Sequence, residues 1–92
     1  MQTQNQVKVA GNLPEKKLRA GAVSATIWLN HGQGKNGEEA EYRTISLERS
    51  YKDKAGQWQT TNSFRIADLP KANVLLQKAY EFLIFKEQDL FN

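Results

Sequence analysis

The sequence predicts an α+β domain in which a curved antiparallel β-sheet of three to four strands is followed by a C-terminal α-helix. Residues 22–30 and 41–66 alternate between apolar and polar side chains, as half-buried strands do. Residues 70–86 instead carry apolar side chains three and four positions apart, which is the period of an amphipathic helix. A chain of 92 residues suffices for one such domain and not for two independent cores.

The first predicted strand spans residues 22–30 and has one apolar side. That side consists of Val23, Ala25, Ile27 and Leu29. Trp28 lies on the opposite side with Ser24 and Thr26, so a large aromatic ring is expected on the polar face of the sheet. A big apolar group in that position is typical of a contact surface.

Residues 31–37 are rich in glycine and are predicted to form a loop. Within them, the segment from Gly32 to Gly37 matches the G-x-G-x-x-G pattern of dinucleotide-binding proteins. That pattern binds pyrophosphate only where it leads from a strand into a helix. Here it leads into charged residues and another strand, so a hairpin loop is the better interpretation.

Residues 41–66 are predicted to form a long β-hairpin. Its first strand covers 41–51, with Ile45 and Leu47 on the buried side. The turn is Asp53-Lys54-Ala55-Gly56, where glycine is free to adopt a positive φ. Its second strand covers 57–66. The side chains that share one side of this strand are Trp58, Phe64 and Ile66.

The domain is predicted to begin at residue 16, after a flexible arm formed by residues 1–15. The arm is polar and has neither the strand period nor the helix period. Residues 16–92 form the single domain, which opens with the basic cluster Lys16, Lys17 and Arg19. Asp68 is a suitable N-cap for the helix, and Pro70 is tolerated in its first turn.

The helix carries apolar residues on two adjacent stripes, which predicts two neighbours. One stripe consists of Leu75, Ala79, Phe82 and Lys86, and it is expected to pack on the sheet. The other consists of Leu76, Tyr80, Leu83 and Ile84, and it is the predicted dimer interface. A homodimer is an efficient way to stabilise so small a domain, because the chain has no cysteine for a disulfide.

The residue pattern gives little support for a catalytic site or for a metal or cofactor site. Without cysteines there is no thiolate site, and His31 is the only histidine. Glu38, Glu39 and Glu41 lack the spacing of an EF-hand, and no pair of acids has the apolar surroundings that acid–base catalysis requires. We therefore expect a non-enzyme without metal or cofactor. No apolar run is long enough to span a membrane, so a cytoplasmic protein is expected, nucleoid-associated if bacterial or viral.

Basic and aromatic residues are interleaved along the predicted strands. Through Arg65 there are ten Lys or Arg and six Asp or Glu, a net charge of +4, whereas the remainder carries −1. Cations that neutralise phosphates and aromatic rings that stack on bases are the chemistry of single-stranded nucleic-acid binding. The candidate residues are Lys17, Arg19, Trp28, Tyr42, Arg43, Arg49, Tyr51, Lys52, Lys54, Trp58 and Arg65. The alternative at this point is an ordinary solvated sheet with Tyr51 and Trp58 in the core.

Three segments resemble the single-stranded-DNA-binding domain of the transcriptional coactivator positive cofactor four, whose fold is related to the plant Whirly proteins. The segments are SATIW, YRTISLERSYKDKAGQWQTT and NSFRIADLPKANVLLQKAYEFL. They match in the order of the elements, in the Asp53-x-x-Gly56 turn preceded by Tyr51, and in the Leu69-Pro70 helix start. The resemblance covers roughly residues 17–86. The family's basic pair after the turn is replaced by Asn62-Ser63, and the loop after Trp28 is longer and more acidic.

The resemblance implies a homodimer whose helices contribute to the interface and whose curved sheets bind unpaired DNA. It places Tyr51 near a family aromatic that contacts DNA, and Lys17 and Arg19 near family basic residues. The expected partner is single-stranded DNA, with RNA left open, in transcription, replication or repair. The alternative hypothesis is a small protein–protein adaptor that uses a sheet edge or the helix as its docking surface.

Overall fold

The computed structural model describes residues 12–34 and 36–91, with side chains described as far as Lys86. Four strands form one antiparallel sheet in the order β1-β2-β3-β4, and a C-terminal helix follows, which confirms the predicted α+β fold class. The elements are β1 Asn12–Ala20, β2 Val23–Gln33, β3 Glu39–Lys52, β4 Trp58–Thr61, a 3₁₀ turn Ile66–Asp68 and α1 Leu69–Phe91.

Strand β1 was not predicted. Residues 12–15, which we assigned to the arm, belong to this strand, and the arm's residues 1–11 lie outside the described residues. The register against β2 shifts between Pro14 and Lys16, so Glu15 is the extra residue of a β-bulge. The bulge interrupts the period of two, which is why the strand could not be recognised from alternation.

The β2–β3 hairpin is longer than predicted. Strand β2 continues to Gln33, with Gly32 opposite Ala40, so the prediction of a loop over residues 31–33 was wrong. Residues 34–38 connect the two strands. Within this extension Gly32 lies beside the Tyr42 ring: a Cβ at Gly32 would be 3.4 Å from Tyr42 Cε1.

The predicted turn after β3 is confirmed. Gly56 has a φ of +82°, and Asp53 Oδ1 accepts the backbone N–H groups of Ala55 and Gln57, both at 2.9 Å. Hydrogen bonds from the Gln57 backbone and the Gln59 side chain hold the pKa of Asp53 below its usual value. The carboxylate thus fixes the chain reversal from which β4 begins.

Strand β4 is much shorter than the predicted strand over residues 57–66. It ends at Thr61 because Thr61 Oγ1 accepts the backbone N–H of Ser63 at 3.1 Å and the chain turns away. Phe64 then packs against the core, whereas Trp58 and Ile66 are 68% and 87% exposed. The interpretation that these three share one side of a strand was therefore wrong.

The core lies between α1 and one side of β2. Val23 and Ala25 are fully buried and form a cluster with Ala72 and Leu75. The helix packs over β2 and β1, so Ile45 on β3 stays 40% exposed, contrary to its predicted burial. One side of the sheet is thus covered by the helix, and we call the opposite side the open face.

The helix begins at Leu69, directly after the 3₁₀ turn, and extends to Phe91, beyond the predicted end near Lys86. The prediction of Asp68 as the N-cap was wrong: Arg65 is the N-cap, and Asp68 is the third residue of the turn that it opens. Asp68 is buried, and its Oδ2 accepts the backbone N–H of Arg65 at 2.8 Å. The same oxygen lies 3.4 Å from Arg49 Nε. These contacts tie the start of α1 to strand β3.

The bulge residue Glu15 links the sheet to the end of the helix. Arg43 Nε donates to Glu15 Oε1 at 2.6 Å, and Lys86 Nζ lies 2.9 Å from Glu15 Oε2. The carboxylate is largely shielded from solvent, at 16% exposure. Hydrogen bonds from Arg43 and then Lys86 hold the pKa of Glu15 below its ordinary 4.5. One carboxylate therefore neutralises two cations from elements far apart in the sequence.

Glu15→Gln is expected to lower the free energy of unfolding at neutral pH by about 1–2 kcal/mol, between the values for exposed and for buried ion pairs. The folded-state pKa of Glu15 is depressed, so its contribution is present above 4.5 and is lost as pH falls through the lowered value. Urea unfolding across this range should show the two proteins converging at acid pH. The control is Glu39→Gln in the exposed hairpin. An equal loss in that control, or a constant difference at all pH values, would contradict the assignment.

Candidate nucleic-acid interface

Strand alternation and register assign a defined set of side chains to the open face. Lys17 lies opposite Thr26 and Arg19 opposite Ser24, while Lys52 lies opposite Trp58 at the other edge of the sheet. Directly paired residues of antiparallel strands share a face. The principal open-face residues are Lys17, Arg19, Ser24, Thr26, Trp28, Tyr42, Ser46, Glu48, Ser50, Lys52, Trp58 and Thr60.

Small hydroxyl residues form the floor of the open face. Ser24 and Thr26 are buried even though no helix covers this side. Their strand lies between β1 and β3, whose longer side chains, including Lys17 and Arg19, stand beside them. The centre of the open face is therefore shallow and polar, with Lys17 and Arg19 at one edge.

Trp28 lies on the open face, as strand parity predicted. Its Nε1 donates to Ser46 Oγ on β3 at 2.9 Å, and its ring is half-buried. Next to it, Asn30 Nδ2 donates to Thr44 Oγ1 at 3.0 Å. The indole N–H is satisfied within the sheet, so the ring is held in one orientation and contributes its apolar surface to the face.

Trp58 contributes a second indole at the edge strand β4. It is mostly exposed, and the Nζ of Lys52 lies 5.5 Å from its ring centroid. This distance is within the range of a cation–π contact. Trp58 therefore lies on the strand surface beside a basic residue, as predicted, and the alternative that it is a core residue was wrong.

Arg43 and Arg49 do not lie on the open face with Trp28 and Trp58. Both lie on the helix side of the sheet, where Arg43 pairs with Glu15 and Arg49 pairs with Asp68. Arg49 Nε also donates to the Ser63 carbonyl at 3.0 Å, and its guanidinium lies 5.7 Å from the Tyr51 ring. These three predicted binding residues therefore belong to the structural side of the sheet.

The remaining candidates lie at the margins. Lys54 is in the turn between β3 and β4, and Arg65 precedes the 3₁₀ turn with its side chain exposed. Tyr42 is on the open face near the hairpin tip. The structure thus brings six of the predicted residues onto one surface: Lys17, Arg19, Trp28, Tyr42, Lys52 and Trp58.

The open face carries an excess of positive charge. Among the described residues, Lys17 and Arg19 have no acidic partner within ion-pair distance, and Lys52 contacts only an aromatic ring. Glu48 is the one acidic side chain that the described strands place on this side. On the helix side Arg43, Arg49 and Lys86 are paired with carboxylates. Lys17 and Arg19 on the open face have no such partner among the described residues, so they can meet an anionic partner.

Sequence reasoning missed the hydroxyl floor and the neighbouring Ser50 and Thr60, which are paired across β3 and β4. Their signal was present in the polar members of the alternating strands, Ser24, Thr26 and Ser46. It was overlooked because hydroxyl side chains have no charge or ring to distinguish them from solvated strand residues.

The predicted dimer residues lie on one flank of α1. Leu76 and Tyr80 are exposed, Tyr80 to 59%, while Leu83 and Ile84 are half-buried. At about 100° per residue these positions fall within one side of the helix. The exposed part of this flank, Leu76 and Tyr80, is an apolar surface that the described residues leave accessible.

Among the side chains that the structure describes, no group of three or more His, Asp or Glu residues is arranged to hold a metal ion. His31 Nε2 lies 3.9 Å from Glu41 Oε2, an exposed pair near the hairpin tip. None of the helices in this part of the chain has the length and apolar character to cross a membrane.

Comparisons with known proteins give no relative for this chain: no family model, no curated protein and no solved structure matches it.

Proposed function

We propose that this chain is a non-catalytic, homodimeric module that binds single-stranded nucleic acid on its open face. The carrying observation is the sorting of cations between the two sides of the sheet. Arg43, Arg49 and Lys86 are engaged with carboxylates on the helix side, while Lys17 and Arg19 on the open face have no ion-pair partner among the described residues. An unpaired cationic edge beside exposed aromatic rings is suited to a polyanion with accessible bases.

The two tryptophans supply the aromatic rings on which unpaired bases can stack. Stacking of a base on an aromatic ring is worth about 1–3 kcal/mol and does not distinguish strongly between bases. Because Trp28 is already fixed by its bond to Ser46, little side-chain freedom is lost when a base stacks on it. Binding is therefore expected to have little sequence preference, as suits a protein acting in transcription, replication or repair. The resemblance to the positive cofactor four domain supports the same function.

Lys17→Ala and Arg19→Ala are each expected to weaken binding of a labelled oligothymidine measured by fluorescence anisotropy. Each variant should also reduce the slope of log K against log salt by about 0.7, because one phosphate contact of a single strand is lost. Lys78→Ala is the matched control, since Lys78 is an exposed helix cation with the same charge.

The proposal fails if the unaltered protein does not bind at low salt or if its binding is independent of salt. It also fails if Lys78→Ala weakens binding as much as the open-face variants. An oligouridine in parallel determines whether RNA is bound as well as DNA.

The apolar flank of α1 favours the homodimer. Together with the partly exposed Ile45 of β3 on the same side of the sheet, Leu76 and Tyr80 provide a surface that a second copy can bury. A domain of this size gains much from such burial, because only about 60–65% of its chain surface is buried on folding alone.

Tyr80→Glu is expected to convert the dimer to a monomer in size-exclusion chromatography with light scattering. The control is Val74→Glu, because Val74 is 53% exposed but lies about 120° away around the helix. A monomeric unaltered protein would contradict the dimer and would favour the adaptor alternative, in which this flank contacts a different protein.

A further inference from the structure

A shallow cavity of about 340 Å³ opens beside Trp58 at the β3–β4 edge of the sheet. We call it the Trp58 cavity; it is lined by Arg19, Ser50, Trp58, Gln59 and Thr60. Its volume is at the small end of the roughly 300–1,000 Å³ that is usual for ligand pockets. A site of this size suits one planar ring with a small substituent and not an extended ligand.

The lining groups are complementary to one nucleotide. Trp58 offers an exposed indole, and the hydroxyls of Ser50 and Thr60 can donate to or accept from the edge of a base. Arg19 enters from β1, at the far edge of the sheet, and forms no ion pair with any described residue. Its guanidinium is suited to bind the phosphate attached to a base that lies on Trp58.

Resting on the proposed function, we infer that the Trp58 cavity is a subsite for a single unpaired nucleotide, with the base stacked on Trp58 and the phosphate bound by Arg19. Lys52 Nζ, at 5.5 Å from the ring centroid, lies close enough to neutralise the next phosphate. The subsite is separate from Trp28, because the two indoles are opposite different residues of β3.

The separation of the two indoles sets the length of strand that reaches both. Trp28 lies opposite Thr44, and Trp58 lies opposite Lys52, eight positions further along β3. At ~3.3 Å per residue this is about 26 Å along the strand. At the roughly 3.4 Å per nucleotide of a stacked strand, about eight nucleotides cover the distance. A strand bound to both indoles therefore crosses the open face diagonally, from the middle of β2 to the start of β4.

The two tryptophans of the chain permit each subsite to be observed alone. In Trp28→Phe the only remaining indole emission is that of Trp58, and in Trp58→Phe it is that of Trp28. An oligothymidine of about twelve nucleotides is long enough for both subsites at stacked spacing. It should quench the indole emission of both variants, at the same midpoint concentration as in the anisotropy titration. One of about four nucleotides should bind at least tenfold more weakly, because it cannot reach both rings.

Trp58→Ala should weaken binding of the longer oligothymidine about tenfold or more, and Trp58→Phe should retain most of the affinity because a ring remains. Ile66→Ala is the matched control, an exposed apolar residue outside the cavity, and should bind normally. Thermal unfolding of each variant confirms that the fold is intact.

Unchanged Trp58 emission at an oligonucleotide concentration where anisotropy shows saturated binding would overturn the subsite and leave the proposed function standing. Equal affinity of Trp58→Ala and the unaltered protein would do the same. A complete absence of binding by the unaltered protein would instead overturn the proposed function itself. The two failures are thereby distinguished.

Discussion

Val23, Ala25 and Ile27 of β2 are buried on the helix side of the sheet, and their burial determines the face on which each of the remaining strand residues lies. Successive side chains of a strand alternate between faces, so fixing these three on the helix side sends Ser24, Thr26 and Trp28 to the other. The antiparallel register carries the assignment to β1, β3 and β4. The core thus fixes the chemistry of the open face as well as the stability of the fold.

The same burial of β2 side chains determines on which side of the sheet each charged strand residue lies. Arginines that the register sends to the helix side meet Glu15 and Asp68, which join the sheet to both ends of α1. Lys17 and Arg19 are sent to the side that the helix leaves uncovered, where no described carboxylate reaches them. Similar side chains of one small sheet therefore have different surroundings: Arg43 and Arg49 hold the structure together, whereas Lys17 and Arg19 form the cationic edge that we propose as an anion-binding surface.

Alternation and turn chemistry predicted the parts that depend on neighbouring residues. The position of Trp28, the Asp53–Gly56 turn and the presence of a C-terminal helix all follow from local pattern. Strand β1 could not be predicted because the bulge at Glu15 breaks the period. The separation of Arg43 from Arg19 could not be predicted either, since it depends on register and on a partner 28 positions away. Exposure of Ile45 depends on which strands the helix covers, and the sequence pattern of one strand carries no such information.

The central claim is that unpaired nucleic acid is bound by the open face and not by the helix side. A ¹⁵N–¹H NMR titration with an oligothymidine tests it directly, because indole Nε1–H and arginine Nε–H signals report on side chains of known face. Binding on the open face predicts shifts in the signals of Trp28, Trp58 and Arg19, with those of Arg43 and Arg49 unchanged. Shifts in Arg43 and Arg49 with unaltered indole and Arg19 signals would contradict the account.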